Sequence, residues 1–375
     1  MTTQNISCTI PQKELKYLLD RARGAVGRMY PYFKIDIYLA GRLTCCATDL
    51  RVGVISETDN RNKDAVVECG GTICVSADKF YNLISALSEN MITFRGLDSN
   101  RLDISCGTYS GVFPCVDPEA HFPDMIVPGG SPDVECLGGF LNDIYAAISH
   151  AVSTDEEKAI AGINLRAENG RLVGVATNGN RLSLAGISVP YDGECDPFNA
   201  GITLAPCSLG EIKKLLCGSC DVRFRDNRMS IEQTNITIIS MLYDAAYPNY
   251  RRVIPTHPHS AVVSAAGLME IVQRVGVLNE SQAVTLHIRP GKILISGESI
   301  AGPLIDSIDC EADASVPETD IILTPAYLLE SLKSLARDSE DVVIKWLDEK
   351  SSLVMVPADH SNWDERLELI HPRKR

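Results

Sequence analysis

The sequence has no long apolar run. Nothing in it approaches the roughly 18–20 consecutive apolar residues of a membrane-spanning helix. Its first residues, MTTQNISCTIPQKEL, lack a basic stretch followed by an apolar one, so no secretory leader is expected and the cytoplasm is the expected location. Positive charge is scarce: 35 Lys and Arg stand against 49 Asp and Glu, a net −14. That excludes a simple basic nucleic-acid binder, whose affinity comes largely from cations on phosphates. It leaves room for an acidic body with a local basic surface. Phosphate-binding loop, Gly-x-Ser-x-Gly elbow and dinucleotide fingerprint are all missing, and Gly138-Gly139 lacks phosphate-loop spacing.

The 13 cysteines are odd in number and scattered, which suits reduced, buried, small apolar residues in a cytosolic chain. Cys217-Gly-Ser-Cys220 is a single CxxC without the second pair of a zinc site. Cys45-Cys46 lies in an apolar strand pattern. His257 and His259 sit in a link with no further ligands at metal spacing. Asp155-Glu156-Glu157 is an acidic loop without partners for a magnesium site. No catalytic residue, metal or cofactor is therefore assigned. Hydrophobic residues at 45% and charged residues at 22% are ordinary for a globular protein.

The length, 375 residues, is three times 125, and the sequence repeats on that scale. Ile35–Val54, Ile163–Leu184 and Val284–Leu304 each show a strand, a tight turn, a second apolar strand, a polar break and a third strand. The turn glycines are Gly41, Gly170 and Gly291, at positions suited to positive φ. A helix pattern recurs at Val75–Glu89, Leu204–Gly218 and Leu323–Arg337. Its apolar face is Phe80, Leu83, Ile84 and Leu87 in the first copy, and Leu328, Leu329, Leu332 and Leu335 in the third. Pro206 and Pro325 fall near the helix starts. Another helix opens each copy, at Pro11–Val26, Leu137–Val152 and Ala265–Leu278. Phe122-Pro123 and Tyr247-Pro248 close the first two copies. The expected order is strand, helix, three strands, helix, three strands, an α+β unit with mostly antiparallel strands. Domain boundaries are expected at 1–128, 129–255 and 256–375, each long enough for its own core.

Two segments carry more than pattern: Val175-Ala-Thr-Asn-Gly-Asn-Arg-Leu182 and Tyr247-Pro-Asn-Tyr-Arg-Arg-Val-Ile-Pro255. Together with the three-domain order, they resemble the β sliding clamp family, the β subunit of bacterial DNA polymerase III. Its central domain carries V-A-T-D-G-H-R-L and F-P-D-Y-R-R-V-L-P at the matching places. The resemblance implies a head-to-tail homodimer, a ring of six clamp domains with helices lining the hole and sheets outside. Such a ring encircles duplex DNA without sequence preference and has no active site. It implies as partners a replicative DNA polymerase, a clamp loader, and repair polymerases or ligase, with no membrane involved.

By the same resemblance, one groove takes a short, partly hydrophobic partner peptide. The matching positions are Ile160, Thr177, Gly179, Arg181 and Leu182, then Pro248, Arg252 and Val253, then Leu369 and His371. Val112 on one side and Val277 with Leu278 on the other match the dimer interface, a heterologous contact whose rotation closes. Arg28 falls where the family has an arginine that touches DNA. Further candidate DNA-facing residues come from the helix patterns: Lys13, Lys16, Arg23, Lys79, Lys213, Lys214, Arg274, Lys333 and Arg337. Net charge is −2, −4 and −8 over the three expected domains, which fits a mildly basic lining on an acidic ring.

The sequence also departs from the family. Leu137–Val152 holds no Lys or Arg, Cys207-Ser208 stands where relatives often have basic residues, and MYPYFKID follows Arg28. The chain ends Glu368-Leu-Ile-His-Pro-Arg-Lys-Arg375, whereas relatives end in a Met-Pro-Met type tail. Asp359–Arg366 is also polar. The expected consequence is a less apolar groove that prefers a partner peptide with an acidic or polar end. Two alternatives stand beside the replicative clamp. One is a specialised second clamp of phage or plasmid type, serving an atypical polymerase or repair factor. The other is a three-domain enzyme with an interdomain site.

Overall fold

The structure, a computed structural model, describes residues 5–58, 64–88, 90–135, 138–153, 155, 158–188, 196–215, 218–279, 281–312, 315–359 and 364–373. Six helices dominate: α1 (Gln12–Ala22), α2 (Ala77–Ala86), α3 (Gly138–Ile148), α4 (Pro206–Leu215), α5 (Ala265–Leu278) and α6 (Pro325–Leu335). Each lies within an expected helix pattern. The i, i+3, i+4, i+7 spacing buries one face: Leu15, Leu18, Leu19 and Ala22 on α1, and Leu328, Leu332 and Leu335 on α6. On α2 Phe80 and Ile84 are buried, while Leu83 and Leu87 are half-buried. Pro206 and Pro325 are the first residues of α4 and α6, where the missing N–H is harmless. Ser264 caps α5, its Oγ accepting from the Gly267 N–H at 3.3 Å.

Gly41, Gly170 and Gly291 have φ of 81°, 75° and 75°, the left-handed conformation that each hairpin turn demands. The element order differs from the expected one in a regular way. Gly71–Ser76, Ile202–Leu204 and Thr319–Leu323 are strands leading directly into the second helix of each copy, with Val66–Cys69 and Glu311–Ala312 as shorter additions. Thr72-Ile-Cys-Val, Ile-Thr-Leu and Asp-Ile-Ile-Leu are short apolar runs next to a helix start. Such runs merge with the helix pattern unless their β-branched content is weighed.

The described chain forms two compact units, Met1–Gly139 with Cys207–Leu242, and Phe140–Pro206 with Tyr243–Arg375. In the first unit, thirteen antiparallel strands make one sheet, because Ile236–Met241 pairs with Val52–Glu57, Ile238 opposite Val54. In the second unit, a nine-stranded sheet forms because Arg181–Ser188 pairs with Glu365–Ile370, Leu182 opposite Leu369. A four-stranded sheet, with Gly302–Asp309 and Thr319–Leu323 at its edges, completes that unit. Its main core gathers Leu268, Ile271, Val272 and Val275 of α5 with Leu328, Leu332 and Leu335 of α6 around the buried Trp346. The central repeat thus contributes strands to both units. Among the described residues no helix is long and apolar enough to cross a membrane.

Candidate partner-binding groove

All ten positions matched to the peptide groove lie in the second unit. Strand pairing brings their three stretches together. Thr177 faces Leu182 across the hairpin of strands Arg171–Thr177 and Arg181–Ser188, and Leu182 faces Leu369 on the next strand. Leu182 and Leu369 join Val173, Val175, Leu184, Tyr250 and Val354 in one buried cluster, with Tyr247, Ile254, Val356 and Leu367 packed against it. Residues 247–254 thereby close over the two strands.

The hairpin between these strands is held by its own side chains. Thr177 Oγ1 donates to the Arg181 carbonyl at 2.6 Å and accepts from the Gly179 N–H at 3.1 Å. Asn178 Oδ1 accepts from the Asn180 and Arg181 N–H groups at 3.0 and 3.2 Å. Gly179 has φ 92°, and a Cβ there would lie 3.9 Å from Ile160 Cδ1, so Ile160 stands beside the turn. Pro248, Arg252 and Val253 are exposed next to the cluster, Val253 at 59%. An apolar floor with an exposed valine at its rim is a surface suited to apolar side chains of a peptide.

Arg181 is placed differently from its neighbours. Its side chain is buried, with Nη1 paired to Glu330 and Nη2 donating to the His150 carbonyl, and the guanidinium lies 4.4 Å from the Tyr327 ring centroid. It links α6 to the turn that follows α3. His371 is exposed, and its Nδ1 lies 3.2 Å from Ser352 Oγ. Residues 360–363 of the polar stretch fall outside the described residues.

Sequence reasoning missed the polar hub on the opposite face of the last strand. Arg366 and Glu368 alternate with Leu367 and Leu369 on one strand and are both fully buried. Glu368 Oε1 accepts from Arg366 Nη1 at 2.8 Å and Ser183 Oγ at 2.6 Å. Its Oε2 lies 2.9 Å from His150 Nε2 and accepts from Ser331 Oγ at 3.0 Å. Arg366 also reaches Asp338 at 3.2 Å, Ser334 Oγ at 2.7 Å and the Ala147 carbonyl at 3.1 Å. Burial would push the Glu368 carboxyl up, but Arg366 and His150 beside it hold it below its usual range. The serines on α6 at positions 331 and 334, buried on the helix's inner side, are the one sequence signal that could have revealed it. Residues Tyr247 and Tyr250 were visible inside the quoted segment but not assigned. Tyr250 donates to Glu168 at 2.7 Å, and Arg251 pairs with Glu168 and Glu365.

The basic residues are exposed, Lys16 alone being half-buried; Lys13, Lys16, Lys79, Lys213, Lys214, Arg274 and Lys333 lie on helices, Arg23 and Arg337 in the turns after α1 and α6, and Arg28 in a loop. Lys13, Lys16, Arg23, Arg28, Lys79, Lys213 and Lys214 belong to the first unit, and Arg274, Lys333 and Arg337 to the second. Several are engaged. Arg23 stacks 4.2 Å from the Tyr81 ring centroid, Lys214 donates to the Asp20 carbonyl at 3.2 Å, and Arg337 donates to the Ala146 carbonyl at 3.2 Å. Arg274 is ion-paired to Asp306 at 2.7 Å and Glu270 at 3.3 Å, which offsets its charge. Ser208 is buried against Ser240, with 2.7 Å between the hydroxyls. Val112, Val277 and Leu278 are exposed at 57%, 78% and 63%. Cys45 and Cys46 are buried in strand Leu43–Thr48, and burial pushes the Cys46 thiol up to about 12. Cys217 of the CxxC, and Glu156 and Glu157 of the acidic loop, lie outside the described residues.

Comparison with known proteins accounts for this arrangement. Residues 139–249 match the family described as DNA polymerase III beta subunit, central domain. The chain is 24% identical over 353 residues to the beta sliding clamp of Streptococcus pneumoniae, covering 90% of each sequence. The crystal structure of the DNA polymerase III beta chain from Streptococcus pneumoniae superposes with a TM-score of 0.89 at 21% identity, over 99% of this chain and 100% of that one. The sliding clamp of Bacillus subtilis gives 0.89 at 20% identity, with the same coverage. Near-complete sequence coverage, the central-domain match and the shared fold make the chain similar to the β sliding clamps, from which it has diverged widely in sequence.

Proposed function

We infer that the protein is a DNA sliding clamp, a non-catalytic processivity factor that encircles duplex DNA and tethers a DNA polymerase. What supports this is the coincidence of the clamp fold over the whole chain with the apolar cluster uniting Leu182, Leu369 and Tyr250. Two chains form a head-to-tail ring, each built of domains 1–128, 129–255 and 256–375. The apolar Val277 and Leu278 at the end of α5, and Val112 on strand Tyr109–Val116, suit the contact, since large exposed apolar side chains mark association surfaces. Exposed Lys and Arg on the helices attract phosphate weakly and without base contacts, which suits sliding.

The groove of Ile160, Thr177, Gly179, Leu182, Pro248, Arg252, Val253, Leu369 and His371 takes the polymerase's peptide, and in turn those of a clamp loader, repair polymerases or ligase. The protein works in the cytoplasm, where the chromosome is copied. Primer extension with the cognate polymerase and loader tests this. Product length should rise several-fold only when clamp and loader are both present, and an unchanged length would overturn the reading.

A further inference from the structure

The sheet face that carries the apolar cluster continues beyond Leu369. Side chains alternate along a strand. Leu367 and Leu369 join the groove cluster, whereas Ile370 belongs to the core on the other face. Leu369 pairs with Val354, and Ile370 with Leu353, so the next pair in register is His371 with Ser352. Their side chains do meet, and the His371 N–H donates to the Asn180 carbonyl at 2.8 Å, extending the Leu182–Leu369 register as well. His371 therefore marks the end of the apolar face.

Past it opens a cavity of about 480 Å³, lined by Asp320, Ile322, Glu349, Lys350, His371 and Arg373 among others. Of its two acids, Asp320 is engaged and Glu349 is exposed. Asp320 is held by Arg289 at 2.7 Å and His287 at 2.9 Å. Glu349 lies 3.9 Å from Lys350 Nζ, both well exposed, a pair of little strength. Among the described residues no carboxylate pairs with Arg373, whose N–H donates to the Ile322 carbonyl at 2.8 Å and whose Nη1 donates to the Gln282 carbonyl. The apolar face thus runs into a cavity where Arg373 has no carboxylate partner among the described residues and Lys350 only a weak one, 3.9 Å away.

We propose that the groove's partner peptide carries Asp or Glu two to four residues beyond its apolar anchor, and that these side chains bind Lys350 and Arg373 in this cavity. Leu369 to Arg373 is four residues, about 13 Å of extended chain, which sets that spacing. The inference rests on reading the apolar cluster as a peptide groove, and it specifies the partner's chemistry there.

The test uses N-acetyl decapeptides that share a Leu/Phe anchor and end either in Asp-Glu or in the isosteric Asn-Gln, titrated into the full-length protein by fluorescence anisotropy. The acidic form should bind about 3–10-fold more tightly at low salt, and the gap should shrink as salt screens it. In Lys350→Glu/Arg373→Glu, two surface changes, the preference should vanish or reverse while the neutral peptide binds as before. Equal affinity of the two peptides for the unsubstituted protein would overturn the inference and leave the groove reading intact. Failure of both peptides at millimolar concentration would overturn the groove reading, and the inference with it.

Discussion

Glu368 and His150, 218 positions apart in sequence, meet at 2.9 Å, the carboxylate entirely buried and shared with Arg366. This contact ties the last strand, Glu365–Ile370, to the turn that follows α3. Removing one partner of a buried charge cluster typically costs about 3–5 kcal/mol.

Glu368→Gln keeps the shape and removes the charge. It should destabilise the protein by about that amount, read from urea or thermal unfolding. The pH dependence follows from the depressed folded-state value. Glu368's contribution is fully present above its unfolded value of about 4.3 and is lost as pH falls through the lower folded value. The substitution should therefore flatten the acid limb below about pH 4.5. A curve of unchanged steepness would assign that limb to other carboxyls.

Val253→Asp places a charge on the groove rim at a residue that is 59% exposed. Peptide affinity should fall at least about tenfold, since full burial of a valine is worth about 1.5–3 kcal/mol. The thermal midpoint should stay the same. Unchanged binding would move the peptide elsewhere.

Val277→Asp with Leu278→Asp alters two of the most exposed apolar side chains of the second unit. Light scattering at micromolar concentration should report a dimer before the change and a folded monomer after it. A dimer that survives both substitutions would exclude this surface from ring closure.

Lys79→Gln and Lys333→Gln remove exposed helix cations. For each cation withdrawn from a phosphate, the slope of log affinity against log salt should become shallower by about 0.9. Arg274→Gln should change it less, because Asp306 and Glu270 already offset that guanidinium. Slopes that do not move would mean these helices do not face DNA.

Much of the fold was legible in the sequence because it is repeated. Three turn glycines at matching places all adopt φ near 80°, and three pairs of apolar-faced helices form where expected. The strands before the second helices were not legible, being too short to separate from the helix pattern. Nor was the sheet pairing that spreads the central repeat over two units, since register between distant strands leaves no local mark. Thr177–Leu182 and Tyr247–Val253 stood out in the sequence, and the fold brings them against one apolar cluster. Arg366 and Glu368 did not stand out: charge alternating with leucine is the ordinary pattern of a strand with one wet face, and only the helix serines covering that face reverse the meaning. Nor could the sequence say that Glu330 lies beside Arg181.

The central claim is topological, and the most direct measurement is retention on DNA. Labelled protein is loaded onto nicked circular duplex by the clamp loader, freed of unbound material by gel filtration, and followed before and after one restriction cut. It should stay with the circle through moderate salt and leave within minutes once the DNA is linear. Equal retention on the cut DNA with free ends would contradict a ring that holds DNA by encircling it.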